Sequence, residues 1–125
     1  MAQHPIVHVE IPAADTQKLG DFYKQAFGWT VNLNTTFNYL RFDGEGGPAG
    51  AFVENHGEMW AGAGANSPII YLGTDDIEGD LAKIEAGGGK TLAPRMEIPG
   101  VGWIALFSDP SGNHMGLYQS LPGQG

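Results

Sequence analysis

The chain has 125 residues, of which 42% are hydrophobic, a net charge of −8 and no cysteine. This length fits one domain with a real hydrophobic core, and the lack of cysteine excludes disulfides, thiolate nucleophiles and cysteine-based metal sites. The acidic balance disfavours nucleic acid and anionic membranes as partners, and no segment approaches the roughly 20 apolar residues of a membrane span. We therefore expect a single cytoplasmic domain over residues 1–125, with small molecules as partners.

The first half of the chain predicts a strand, a helix and three further strands. The segment PIVHVEI, residues 5–11, is rich in β-branched residues and alternates weakly, as strands do. The helix that follows begins at Asp15 or Thr16, either of which can act as N-cap, and ends at Gly28, which suits the left-handed position after a helix. Turn-forming residues separate three strand-like segments, WTVNL, FNYLRF and AGAFVE.

The second half repeats this order. A strand, PIIYLGT, precedes a capped helix, DDIEGDLAKIEAGGG, and three strands, KTLAP, VGWIALFS and NHMGLYQ. One constant offset places Asp15 on Asp76 and Gly28 on Gly89. We therefore predict an α+β fold of two tandem βαβββ units, about residues 5–54 and 68–120. Because each unit alone leaves one sheet face bare, we expect a curled mixed sheet around a cavity, with the helices on its outer face.

Strand alternation selects candidate residues for this cavity. In the first strand His8 and Glu10 share the face turned away from the helix. In the last strand Gly116 shares that face and leaves space for a ligand. The assignment of Tyr71 and Trp103 depends on the phase of their strands, because a shift of one residue moves a side chain into the helix-side core. The predicted ligand-binding residues are His8, Glu10, Tyr71, Trp103, Gly116 and Tyr118.

Three segments carry a resemblance to a known family. They are HVEIPAADTQKLGDFYKQAFGW near the start, YLGTDDIEGDLAKIEAGGGKTL in the middle and PGVGWIALFSDPSGNHMGLYQ near the end. In this order they resemble the vicinal oxygen chelate superfamily, which includes glyoxalase I, extradiol dioxygenases, and fosfomycin and bleomycin resistance proteins. The small, single-domain, glyoxalase-like members are the most similar. The resemblance implies the paired βαβββ fold derived above.

The resemblance also implies where a divalent metal would bind. Metal-dependent members use a histidine of the first strand, which His8 matches, and a glutamate of the last strand, where this chain has Gly116. The position of the second unit that matches His8 is Ile69. A Lewis-acid metal needs several protein ligands, so we expect no complete metal site. The alternative is a Zn, Ni, Mn or Fe site that uses His8 and Glu54.

Three functions therefore remain open. The first is a protein that binds a small cationic or aromatic molecule without a metal, as bleomycin resistance proteins do. The second is a divalent-metal lyase or isomerase of the glyoxalase type, and the third is a structural or regulatory module with a vestigial pocket. We also predict a homodimer, because the resembling proteins commonly pair and the apolar loop around Trp60 needs cover.

Overall fold

The computed structural model describes residues 3–34, 39–54 and 67–122, and leaves the side chains of residues 33, 34 and 39 undescribed. The chain divides into a first unit, His8–Ile69, and a second unit that comprises the chain from Ile70 onward and the residues before His8. The helices are α1 (Thr16–Phe27) and α2 (Ile77–Ala86). The strands are β1 (Ile6–Ala13), β2 (Thr30–Asn34), β3 (Tyr39–Asp43), β4 (Ala49–Glu54), β5 (Ile69–Gly73), β6 (Lys90–Ile98), β7 (Gly102–Ser108) and β8 (His114–Ser120).

Both units arrange their strands in the same way. In the first unit the order is β2, β3, β4, β1, with β1 parallel to β4 and the other neighbours antiparallel. In the second unit the order is β5, β8, β7, β6, with β5 parallel to β8 and the other neighbours antiparallel. The α+β class and the tandem βαβββ arrangement predicted from the sequence are confirmed.

Local sequence signals explain where α1 begins, ends and packs. Asp15 accepts a hydrogen bond of 3.0 Å from the backbone N–H of Lys18, which makes it the N-cap. Gly28 follows the helix with a φ of 74°, a conformation that favours glycine. Gly20 lies inside α1, where a Cβ atom would be 3.0 Å from Leu40. This glycine therefore allows α1 to lie close against β3.

The core of the first unit lies between its sheet and α1, and it is rich in aromatic rings. Leu40, Phe42 and Phe52 are buried at its centre. Trp29 stacks on Phe42 and on Tyr23, with centroid distances of 4.5 Å and 4.8 Å. The other partly buried residues of this core are Val9, Ile11, Leu19 and Val31. The strand residues of this set share one face of the sheet, so the residues that alternate with them lie on the opposite face.

The second unit has an equivalent core against α2. Its buried members are Ile77, Ala105, Phe107 and Leu117. Asp76 caps α2 by accepting a hydrogen bond of 3.0 Å from a backbone N–H of the first turn. The partly buried residues packed on this core are Leu72, Leu81, Ile84, Trp103 and Met115. Both helices thus cover one face of their own unit.

The turn between β7 and β8 is built around one carboxylate. Asp109 accepts hydrogen bonds of 2.9 Å from the backbone N–H groups of Ser111 and Asn113 and from the side-chain amide of Asn113. The bonds from Asn113 are the main reason that the pKa of Asp109 is lowered. Gly112 takes a φ of 88°, which favours glycine. The residue types of the DPSGN segment, residues 109–113, are therefore those that this turn requires.

The strand β6 is longer than its predicted segment, KTLAP, because it continues past Pro94 to Ile98. Proline donates no ladder hydrogen bond and is tolerated at edges and bulges. In the second unit β6 is the outermost strand, and its register to β7 shifts on both sides of Ala93. The remaining strands lie within two residues of their predicted bounds.

The sequence predicted no membrane-spanning segment and a homodimer. In the part of the chain that the structure covers, neither helix has the length and apolar character needed to cross a bilayer. The loop around Trp60 lies outside the described residues. The homodimer, which was inferred partly from that loop, stays a prediction.

Candidate functional site

The sheet face of the first unit that is turned away from α1 carries polar side chains, and we call it the polar face. Glu10 of β1 lies opposite Ala51 of β4, which lies opposite Arg41 of β3, and Arg41 lies opposite Asn32 of β2. Directly opposite residues share a face, so these four form one row across the sheet. His8, two residues before Glu10, belongs to the same face.

Small residues separate the two sides of the polar face. His8 lies opposite Ala49 and Glu10 opposite Ala51, so β4 presents only methyl groups between β1 and Arg41. Neighbouring strands are about 4.8 Å apart, which places the Cα atoms of Glu10 and Arg41 roughly 10 Å from each other. Long side chains from β1 and β3 can therefore approach the same ligand from opposite sides.

The electrostatics of the polar face keep its histidine neutral. Burial, and then the positive charge of Arg41, lower the pKa of His8 from 6.5 to about 4. Burial favours the neutral form because the charged form loses hydration, and a nearby cation adds repulsion. At neutral pH His8 is therefore an uncharged imidazole with one donor and one acceptor nitrogen, and its low pKa makes it a weak base.

The predicted pairing of His8 with Glu54 at a metal is wrong. His8 lies opposite Ala49 and Glu54 lies opposite Ala13, which separates them by five residues along the strands, roughly 16 Å. An odd separation also places their side chains on opposite faces. The sequence suggested the pairing because Glu54 ends β4, but the register of β4 against β1 decides the distance.

The described residues do not fit a divalent metal of the kind that the resemblance implies. The position that matches His8 in the second half of the chain is Ile69, a buried aliphatic residue with no donor atom. The position of the expected glutamate is Gly116, which has no side chain. Within the described residues no group of three or more histidine, aspartate or glutamate side chains could hold a metal. Of the three matched positions only His8 carries a donor atom, and one imidazole is not sufficient.

On the second unit, the space above Gly116 is already filled. Gly116 lies opposite Tyr71 of β5, and a Cβ atom at residue 116 would lie 2.3 Å from the Tyr71 ring. Tyr71 is buried, with 2% of its surface exposed. The prediction that both residues share a face agrees with this register. The interpretation that Gly116 leaves space for a ligand is wrong, because the glycine accommodates the aromatic ring of its neighbour.

The prediction that Trp103 shares the face of Gly116 is also wrong. Trp103 lies opposite Gln119, while Gly116 lies opposite Leu106, so the two belong to alternate faces of the sheet. Trp103 packs on the core against α2, and the guanidinium of Arg95 lies 5.0 Å from the centroid of its ring. Both faces of β7 are apolar, so alternation in the sequence could not fix its phase.

Two further residues of β8 share the face of Gly116. Tyr118 is half-buried, and its hydroxyl donates a hydrogen bond of 3.2 Å to the backbone carbonyl of Val101. His114 is half-buried, and its Nδ1 atom is buried with no hydrogen-bond partner in the described structure. The proposal that Tyr71, Gly116 and Tyr118 line one cavity with residues of the first unit stays a prediction.

Arg41 was not among the predicted site residues, although its strand carries a signal for it. In the segment FNYLRF, Leu40 and Phe42 flank Arg41, and this alternation places Arg41 on the face away from the core. The sequence could not show that Arg41 lies in the same row as Glu10, since that depends on three strands pairing in one register. The structure therefore adds a cation to the candidate site.

The paired βαβββ units define an α+β protein of the kind that the resemblance implied. A family model for the Glyoxalase/Bleomycin resistance protein/Dioxygenase superfamily matches residues 5–117. The chain therefore belongs to this superfamily.

Relatives of this chain carry several names. A protein of Vibrio cholerae named "Probable lactoylglutathione lyase" is 33% identical over 129 residues, covering 96% of this chain and 94% of the relative. The anthracycline biosynthesis protein DnrV of Streptomyces peucetius is 25% identical over 124 residues, covering 82% of this chain. The chain spans only 42% of that relative and 44% of a Mycobacterium bovis relative, so it corresponds to less than half of some of its curated relatives.

Solved structures agree on the fold. A methylmalonyl-CoA epimerase variant of Streptomyces coelicolor, in complex with 2-nitronate-propionyl-CoA, has a TM-score of 0.65 and 19% identity, with 97% of each chain covered. A superfamily member from Vibrio splendidus has a TM-score of 0.66 and 13% identity, with 94% of this chain and all of the other covered. At these identities the likeness concerns the fold alone.

Proposed function

We propose that this protein binds a small molecule on the polar face of the first unit, without a complete metal site. The observation that carries the proposal is the row of Glu10, Ala51 and Arg41 beside a neutral His8. Polar residues stand on either side of small alanines there, on the sheet face opposite the aromatic core of the first unit. A few placed polar groups on a largely apolar scaffold are typical of small-molecule sites.

A matched series of probes tests this proposal. Benzoate, benzamide and benzylamine share an aromatic ring and differ in charge, and each is titrated into ¹⁵N-labelled protein. We expect saturable shifts of backbone signals from β1, β3 and β4 with at least one of the three. His8→Ala should weaken that binding. His4→Ala is the matched control, because His4 instead bonds to Asp80 of the second unit, at 2.9 Å.

Two results would contradict the proposal. One is that none of the three probes moves the signals of the polar face. The other is that His8→Ala binds the best probe as tightly as the unaltered protein does. A metal analysis adds an independent check, since we expect dialysis against Zn²⁺ or Ni²⁺ to leave far less than one ion per chain.

A second candidate is a metal-dependent lyase or isomerase of the glyoxalase type. It is supported by the 33% identity to the Vibrio cholerae protein over nearly the whole of both chains. The test is to measure formation or cleavage of lactoylglutathione with and without added Zn²⁺, Ni²⁺, Mn²⁺ or Fe²⁺. Stoichiometric metal together with metal-dependent turnover would favour this candidate over the first. We expect neither stoichiometric metal nor metal-dependent turnover, because Ile69 and Gly116 have no side-chain donor atom.

A further inference from the structure

Within the described residues, Arg41 differs from Arg95, the other arginine of this chain, in having no hydrogen bond or ion pair. Its side chain is exposed, and within the described residues it takes part in no ion pair or hydrogen bond. Arg95, by contrast, lies over the ring of Trp103 and 3.7 Å from a carboxylate oxygen of Glu78. The chain has 14 acidic residues and six lysine or arginine residues, so an arginine without a carboxylate partner is not explained by a shortage of anions.

The position of Arg41 directs its charge towards the other residues of the polar face. It lies opposite Ala51, whose methyl group leaves no long side chain between Arg41 and Glu10. Its charge also acts on His8, where it is one of the two causes of the lowered pKa. Because His8 is neutral at neutral pH, Arg41 is the one cationic residue among His8 and the four residues of the row, and Glu10 is the one acidic residue among them.

The chemistry of the guanidinium indicates which ligand group it takes. We propose that Arg41 anchors a carboxylate group of the ligand that binds the polar face, an inference that rests on the proposed function. A guanidinium holds a planar carboxylate with two parallel hydrogen bonds. The net charge of −8 disfavours a multiply charged phosphate more than a singly charged carboxylate.

A carboxylate has the opposite charge to the cationic ligand that the acidic composition suggested. Composition describes the average field of the whole chain, which steers ligands over long distances. The guanidinium of Arg41, which has no ion-pair partner among the described residues, acts at contact distance, where a charge-assisted hydrogen bond is stronger than a neutral one. The two effects predict opposite orders of affinity within the benzoate, benzamide and benzylamine series, so the series can separate them.

The test compares two arginine substitutions that change the net charge equally. Arg41→Gln removes the proposed anchor, and Arg95→Gln removes the partnered arginine of the second unit. We expect benzoate to bind the unaltered protein more tightly than benzamide or benzylamine, and Arg41→Gln to lose about tenfold in benzoate affinity or more. Arg95→Gln should bind benzoate as the unaltered protein does. Arg41→Lys should be intermediate, because it keeps the charge but loses the two-bond geometry.

A second readout reports on the position of the bound carboxylate. A carboxylate against Arg41 adds a negative charge near His8, so saturating benzoate should raise the pKa of His8, measured by NMR of the imidazole. Benzamide should leave that pKa unchanged. This signature would be missing if benzoate bound elsewhere on the protein.

The outcomes distinguish this inference from the proposed function. If benzamide or benzylamine binds the polar face more tightly than benzoate, or Arg41→Gln keeps full benzoate affinity, the carboxylate anchor is refuted and small-molecule binding stands. If none of the three probes binds the polar face, the proposed function fails and the inference fails with it. A loss of affinity of the same size in Arg95→Gln would refute a local role for Arg41.

Discussion

Gly116→Ala tests the contact between β5 and β8 most directly. A Cβ atom at residue 116 would lie 2.3 Å, 2.4 Å and 2.9 Å from three ring atoms of Tyr71. Real Cβ atoms essentially never approach other atoms within 3.0 Å, so the ring or the strand must move. Tyr71 is 2% exposed, and in a close-packed interior such a ring has little room to yield.

The expected magnitude follows from two opposing terms. Overpacking a well-packed site costs about 1 to 3 kcal/mol. Replacing glycine by alanine also restricts the unfolded chain, which stabilises the protein by about 0.4 to 1 kcal/mol. The φ of Gly116 lies outside the left-handed region, so no backbone strain is added. We therefore expect Gly116→Ala to lower the free energy of unfolding by about 1.3 kcal/mol, the difference between the mid-range values of the two terms.

Urea denaturation of matched variants measures this change. Gly47→Ala is the control, because a Cβ atom there meets nothing within 4 Å, and we expect its stability to be unchanged or slightly raised. Tyr71→Ala removes the ring atoms that would collide, so Gly116→Ala should cost less in that background than in the unaltered protein. An equal cost in both backgrounds would show that the Tyr71 ring is not the obstacle, and the reasoning would be refuted.

Two further predictions concern the polar face and the core. The folded pKa of His8, about 4, lies below its ordinary value of 6.5, so the unfolded chain binds more protons between these values and stability should fall as the pH falls through this window. His8→Gln should flatten that part of the stability profile; an unchanged profile would argue against a buried neutral His8. Leu117→Ala should lower the free energy of unfolding by about 2 to 5 kcal/mol, measured by urea denaturation, whereas a loss below 1 kcal/mol would contradict the burial of Leu117.

The sequence by itself determined the elements and their repetition. Capping residues such as Asp15 and Asp76, and the glycines that end each helix, are local signals that act within a few residues of the chain. The matching order of elements in the two halves then predicted the paired βαβββ topology. In β8 polar and apolar residues alternate clearly, so the shared face of Gly116 and Tyr118 was also predictable.

The tertiary structure alone decided which residues meet across strands. Trp103 lies in a strand that is apolar on both faces, so only its pairing with β8 places it in the core against α2. Glu54 is separated from His8 by the register of β4 against β1. Arg41 and Glu10 share one row only because β1, β4 and β3 pair in one register. Register is a relation between distant segments, and a shift of one residue exchanges the two faces of a strand, so no local pattern in a single strand could determine it.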